Sequence, residues 1–365
     1  MSKAAELANL TGNINAGGGG TNKNAIINGA MNVAQRGTSH TGLGGSTGAV
    51  YTLDRFCTFD SATAGRATVT QDSSAPSGFA NSLKVACTTA DTSIAAGEQF
   101  LLQQRIEGQN LQAFAKGSSD AKPFAVSFYV KGNASATYAC ELFDRDNTRQ
   151  ASKLFNVTTD WTRIELTFDA DTTGAFDDDN ARSLDFIIQL HAGSNYTSGT
   201  LNQTFASNTA ANRAVGISSF FDSTSRTFFI TGVQLEVGQN ATEFEHEPYE
   251  STLSKCLRYY QKTFIYSQAP VQDPPSAAGT IAGPAHSDSA YKNVLQWWFQ
   301  EHMRATPTIT FYNPYFSNAN FSKSGYDGPT AGLYSSSEKH CAVRDDGGGA
   351  INTNLQVHAD AKSEL

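Results

Sequence analysis

The chain reads as mainly β: an antiparallel jelly-roll-like β-sandwich, then a smaller second β-domain, with a short N-terminal anchor segment and a short linking helix. Three observations predict this class. Apolar and polar residues alternate in run after run, as in Phe124, Val126, Phe128 and Val130. Clusters of Gly, Asn, Asp and Ser punctuate the runs. No long helical stripe lies between them, and parallel strands would need crossover helices, so the pairing is antiparallel.

Residues 1–24 form the expected anchor segment and its tether. Ser2 can cap a short helix that sets Ala4, Leu7 and Leu10 on one side, and Gly17 to Gly20 make a flexible connection. So short a helix needs a partner in water, so it reads either as an anchor on another assembly component or as a frayed terminus.

Residues 25–250 supply the sandwich. Leu83, Val85 and Cys87 alternate with polar residues, as do Tyr138, Cys140 and Leu142; Ile164, Leu166 and Phe168; and Phe186, Ile188 and Leu190. Residues 144–147, DRDN, make a turn. Val233, Leu235 and Val237 are expected on a buried face and Gln234 and Glu236 on a wet one. The run 169–180, DADTTGAFDDDN, is too polar for a core, and 192–214 is a long Ser/Thr/Asn-rich excursion; both read as loops, either ligand-facing or plain surface.

Gly238 to Asn240 then break the pattern. Leu253, Cys256, Leu257 and Tyr260 recur at helical spacing, predicting a helix over Ser254 to Phe264 within a linking stretch 251–268. The remainder, 269–365, is the distal β-domain, with strands at Val294 to Phe299, Thr308 to Tyr312 and Ile351 to Val357. On a strand, Trp297 and Trp298 face opposite ways, so at least one indole meets another layer or chain.

Composition excludes whole classes of function. Charged residues make up 16% of the 365, against roughly 25% in an average domain, while 23 Phe and 13 Tyr can fill cores. A net charge of −8 without a Lys/Arg cluster argues against nucleic acid. No apolar run approaches the roughly 18 residues of a membrane span. The five cysteines are scattered and unpaired in pattern, so buried thiols are expected, and the N-terminus lacks a secretory core, pointing to folding in a reducing cytoplasm.

Catalytic constellations are weak. Glu98, Glu107, Glu141, Glu165 and Glu236 can be paired on paper for glycoside cleavage, yet strand alternation sends Glu141, Glu165 and Glu236 toward solvent. Asp177 to Asn180 and Asp144-x-Asp146 offer calcium-type oxygens but lack the Gly and bidentate Glu of an EF-hand loop. The seven His show no zinc spacing, and no nucleophile elbow is present. No catalytic residue, metal or cofactor is therefore expected, and the chain reads as non-enzymatic. Tyr312, Tyr315, Tyr326 and Tyr334, interleaved with Asn and Ser, are the candidate ligand-binding residues, either as stacking platforms for sugar rings or as core and interface packing.

Four segments resemble virion proteins of tailed bacteriophages, the tail-fibre and receptor-binding adhesins: residues 24–38, NAIINGAMNVAQRGT; 51–56, YTLDRF; 231–260, TGVQLEVGQNATEFEHEPYESTLSKCLRYY; and 303–311, MRATPTITF. The closing VHADA at 357–361 looks like the family's last strand. The resemblance implies a homotrimer, contact with another virion protein through residues 1–20, attachment to a host-surface glycan, and assembly into the virion in the host cytoplasm. It leaves open a capsid decoration or head fibre, and a depolymerase of surface polysaccharide.

Overall fold

A computed structural model of the chain describes residues 23–284, 294–323, 325–345 and 354–365. The anchor residues Ala4, Leu7 and Leu10 lie outside the described residues. Two compact units are present: residues 23–32 and 39–248 with Leu365, and residues 33–38 with 249–364.

The first unit holds β1 (Ser39–Leu43), β2 (Gly48–Tyr51), β3 (Phe56–Ser61), β4 (Arg66–Asp72), β5 (Ser82–Thr89), β6 (Gln99–Glu107), β7 (Phe124–Gly132), β8 (Ala136–Asp144), β9 (Arg149–Val157), β10 (Thr162–Phe168), β11 (Arg182–Ala192), β12 (Ala206–Ser207) and β13 (Thr227–Val237). They pair antiparallel into a six-stranded sheet, β1-β4-β5-β13-β7-β10, and a seven-stranded sheet, β12-β9-β8-β11-β6-β3-β2. Within them β5-β13-β7-β10 and β9-β8-β11-β6 interleave as a jelly roll, with the chain alternating between sheets. The inner faces meet through Phe128 of β7, which packs edge-on to Phe186 of β11 at 6.2 Å and to Phe155 of β9 at 5.1 Å. Each such fully buried side chain contributes about 1.5–3 kcal/mol.

The segment 24–32 carries no strand; it clasps β13. Asn24 Oδ1 accepts from the amides of Ile26 and Leu235 at 3.0 Å each, and Asn24 Nδ2 donates to the Val233 carbonyl at 3.1 Å. Gly29 passes so close that a Cβ there would stand 2.1 Å from the Val233 oxygen. Only glycine fits, which gives the Asn-Gly of this segment a packing reason.

The second unit opens with a helix, Tyr249–Leu257, and continues through β14 (Tyr260–Lys262), β15 (Ile281–Pro284), β16 (Val294–Trp298), β17 (Thr308–Tyr312), β18 (Asn320–Lys323), β19 (Tyr326–Ser336), β20 (His340–Asp345) and β21 (Asn354–Lys362). The long β21 pairs with β14, β15, β17 and β18, and the sheet runs on through β19 and β20 to β16. Its core gathers Ile281, Phe321, Cys341, Val343, Leu355, Val357 and Ala359. Gln35 and Arg36 belong to this unit: Arg36 lies 3.7 Å from the Tyr260 ring centroid and pairs with Glu364 at 2.8 Å.

Two expectations need correction. The helix expected over Ser254 to Phe264, within the linking stretch 251–268, spans Tyr249–Leu257 instead, because Tyr260, Gln261 and Lys262 pair with Lys362, Ala361 and Asp360 in β21. The helical spacing of Leu253, Cys256 and Leu257 is real, while Tyr260 is buried from a strand. The wet faces assigned to β13 and β8 are buried instead: Gln234, Glu236 and Glu141 are at most 1% exposed. Loop residues such as Arg213 and Thr242 cover these parts of the outer faces, so alternation marks which side meets the other sheet without making the second side wet throughout.

All five cysteines are buried, and none is in a disulfide.

Candidate functional site

The outward face of β16, β20 and β19 carries two large exposed aromatics beside polar groups, Trp298 and Tyr334. In β16 Leu295 and Trp297 pack on the core, which turns Val294, Gln296 and Trp298 outward. Antiparallel register sets Trp298 opposite His340, Gln296 opposite Ala342 and Val294 opposite Arg344. The Trp298 indole and His340 imidazole stack with centroids 4.8 Å apart and planes 25° from parallel. His340 Nδ1 is fixed by the Ser337 hydroxyl at 3.1 Å.

On the other side of β20 the register slips between Leu333 and Ser335, inserting Tyr334 as an extra residue. A bulge of this kind re-aims a side chain. Tyr334 is 61% exposed, and the Arg344 guanidinium lies 6.0 Å from its ring centroid. Two strand spacings, roughly 10 Å, separate β16 from β19. The result is an open strip with an indole at one side, a phenol at the other, and Gln296, His340 and Arg344 supplying donors. It has no deep walls.

The four tyrosines singled out by sequence do not converge. Tyr326 and Tyr334 are eight positions apart on β19, about 26 Å of strand. Tyr315 is exposed on the turn where its amide donates to Asn313 Oδ1 at 3.0 Å. Beside Tyr326, Asp327 gathers the side-chain amides of Asn313, Asn318 and Asn320, so those polar groups are mutually satisfied. Tyr312 is only partly exposed: it packs edge-on to Phe264 at 5.4 Å and donates its hydroxyl to Asp360 Oδ2 at 3.1 Å. Burial and the Asp360 charge raise its hydroxyl well above the ordinary phenol value. Tyr334 was legible in the sequence, and the Trp297-Trp298 doublet was expected to face opposite ways, which it does, with Trp297 on the core and Trp298 outward; neither Trp298 as a ligand platform nor His340 was anticipated.

The carboxylates considered for catalysis are mostly tied up. Glu141 takes Arg213 in a bidentate pair at 2.7 and 3.0 Å and Gln189 Nε2 at 2.6 Å. Glu236 accepts from the Thr242 amide at 2.7 Å and from Gln234 at 2.8 Å. Glu107 accepts from Gln109 at 2.6 Å. Glu165 alone meets solvent as expected, paired with Arg163 at 2.6 Å.

The two polar loops also contribute to the interior. Asp171, from the run read as too polar for core, is buried with Asp144 around Lys116, at 3.1 and 2.6 Å from its Nζ. Arg149 completes the group at 2.7 Å from Asp171. Burial works against the Asp171 charge, but hydrogen bonds from Arg149 and Lys116 outweigh it and hold the carboxyl below its ordinary value. Phe176 is buried from the same run, whereas Asp177, Asp178 and Asp179 are exposed. Asp144 is thus no free calcium ligand.

Among the described residues, Asp91, Glu98 and His191 are the group whose donor atoms converge as metal ligands do, all within 4.8 Å of one another and all buried. Seven and 93 positions separate neighbouring members in sequence, so no spacing motif flags them. Asp91 is 6% and Glu98 4% exposed.

No protein-family model and no curated protein matches this chain. Among solved structures, the chain is similar to a CBM4, at 9% identity over 58% of this chain and 99% of that one, with a TM-score of 0.30. It is similar to the enzymatically active domain of bacteriophage CBA120 tailspike protein 4, at 12% identity over 59% of this chain and 22% of that one, TM-score 0.31. The CBM22-1 and GH10 modules of Clostridium thermocellum xylanase 10B, complexed with xylohexaose, match at 12% identity over 60% of this chain and 29% of that one, TM-score 0.30. Likeness at that level leaves the function of this chain to be argued from its own residues.

Proposed function

We propose that this chain is a non-enzymatic, homo-oligomeric attachment protein of a tailed-bacteriophage virion, a tail fibre or receptor-binding protein that holds host-surface glycan on its second unit. The observation that carries the glycan reading is Trp298, 65% exposed and backed by His340, with Gln296 and Arg344 on the same face. An indole face accepts the apolar side of a sugar ring, and the neighbouring amide, imidazole and guanidinium bond its hydroxyls. An open strip gives weak single-site binding. Repetition on one particle raises avidity by orders of magnitude without new contacts. The virion assignment and the trimer rest on the resemblance of residues 24–38, 51–56, 231–260 and 303–311 to that family.

The test is binding of the purified chain to an array of bacterial surface glycans, repeated with Trp298→Ala and Tyr334→Ala. Loss of the wild-type signal with unchanged circular dichroism supports the strip. Undiminished binding by both variants removes it. Antibody labelling of intact particles separates tail attachment from head decoration, and release of reducing sugar from envelope polysaccharide marks the depolymerase alternative.

A further inference from the structure

We propose that Asp91, Glu98 and His191 form a structural site for a first-row transition-metal dication, with Zn²⁺ as the natural probe, clamping the two sheets of the first unit together at one end. The three side chains come from three places. Asp91 follows β5 of the six-stranded sheet, Glu98 immediately precedes β6, and His191 lies in β11, the latter two strands being neighbours in the seven-stranded sheet.

The geometry suits an ion. His191 Nε2 and Glu98 Oε2 stand 3.0 Å apart. Two ligands of one ion at about 2.0–2.2 Å are separated by roughly that length at tetrahedral or octahedral angles. His191 Nδ1 is 2.8 Å from the Ser219 hydroxyl. With Nδ1–H donating there, Nε2 turns its lone pair toward the carboxylates, the outer-shell arrangement that orients metal-binding imidazoles. Asp91 Oδ2 accepts from the Thr63 hydroxyl at 3.0 Å and the Ala64 amide at 2.8 Å, and Oδ1 accepts from the Ser93 amide at 3.3 Å.

The surroundings bury the group and brace it. The Phe221 ring stands edge-on to His191 at 5.3 Å, and the Phe221 carbonyl accepts from the Asp91 amide at 2.8 Å. The Glu98 carbonyl accepts from Gly193 at 2.8 Å, just past His191. Two carboxylates enclosed beside one imidazole leave negative charge that a dication neutralises. One nitrogen with carboxylate oxygens favours Zn²⁺, Mn²⁺ or Co²⁺ over Ca²⁺, which prefers an all-oxygen shell.

The full chain, stripped with EDTA, is titrated with ZnCl₂ by calorimetry and thermal denaturation. The expected result is one ion per chain and a Tm rise of about 5 °C at hundredfold Kd, with both lost in His191→Gln and Asp91→Asn. Asp177→Asn/Asp178→Asn/Asp179→Asn, on the exposed acidic loop, leaves binding intact. Saturable binding that survives His191→Gln, or no saturable binding by the wild type, overturns the site and leaves a hydrogen-bonded triad. Should His191→Gln not fold, X-ray absorption of the zinc-loaded wild type decides: one imidazole with oxygen donors supports the site, and an all-oxygen or multi-imidazole shell refutes it.

Discussion

Trp298 lies against His340 with ring centroids 4.8 Å apart, yet keeps 65% of its surface in solvent. One face of the indole is braced and the rest is free. Leaving so large an apolar group in water forgoes the burial energy that Trp297, its neighbour on the same strand, gains against the core. A braced, exposed indole is preorganised for a partner, because little side-chain freedom remains to be lost on binding.

Trp298→Ala should therefore weaken glycan binding at least about tenfold, some 1.4 kcal/mol, while leaving Tm nearly unchanged. Tyr312→Phe gives the contrast: its hydroxyl already serves Asp360, so binding should hold while stability drops by about 1 kcal/mol. Calorimetric titration of the two variants against one glycan checks both. Reversed outcomes would move the binding surface to β17.

Arg213 and Glu141 form a pair in which Glu141 has no exposed surface. Arg213→Ala strands a buried carboxylate beside Gln189, and removing one partner of such a pair costs about 3–5 kcal/mol. Urea denaturation should show that loss, and adding Glu141→Gln should recover part of it. A single-variant loss under about 1 kcal/mol would mean that solvent reaches Glu141.

Lys116 is buried between Asp144 and Asp171. Lys116→Met leaves two carboxylates facing each other and should be strongly destabilising at neutral pH. Asp171 titrates below its ordinary value of 3.8 when folded, so its contribution is present above that value and is lost as pH falls through the folded one. The gap in urea midpoint between wild type and Lys116→Met should thus be wide at pH 7 and narrow toward pH 3. An unchanged gap would separate Lys116 from these acids.

Much of the architecture was legible because the core strands obey period two: Phe124, Val126, Phe128 and Val130 are all fully buried, as their alternation predicts. Alternation is silent about the opposite face. Gln234, Glu236, Glu141 and Gln189 look like solvent-facing residues and are covered, because loops remote in sequence fold over them and supply partners such as Arg213 and Thr242. Tyr260 kept the helical spacing of its neighbours but went to β14, since pairing with β21 outweighed propensity. Asp91, Glu98 and His191 stayed invisible for a related reason: their meeting depends on the jelly-roll connections, which no local pattern encodes.

His358, in the closing strand β21, gives the second unit a pH dependence of its own. Its ring is fully buried, stacked on Phe264 at 4.0 Å, with Nδ1 3.0 Å from the Thr263 hydroxyl and Nε2 3.4 Å from the Ser276 carbonyl. Burial lowers its pKa to about 4, only partly offset by the Ser276 carbonyl. The unfolded chain takes up this proton near 6.5, while the folded one resists until about 4. Protons therefore favour unfolding across that window: the contribution is intact above 6.5 and declines as pH falls toward 4. The difference in urea midpoint between wild type and His358→Gln should accordingly shrink between pH 7 and 4.5. Proton NMR of the folded chain should place the His358 midpoint near 4, and a midpoint near 6.5 would show that water reaches the ring and that β21 is open at this position.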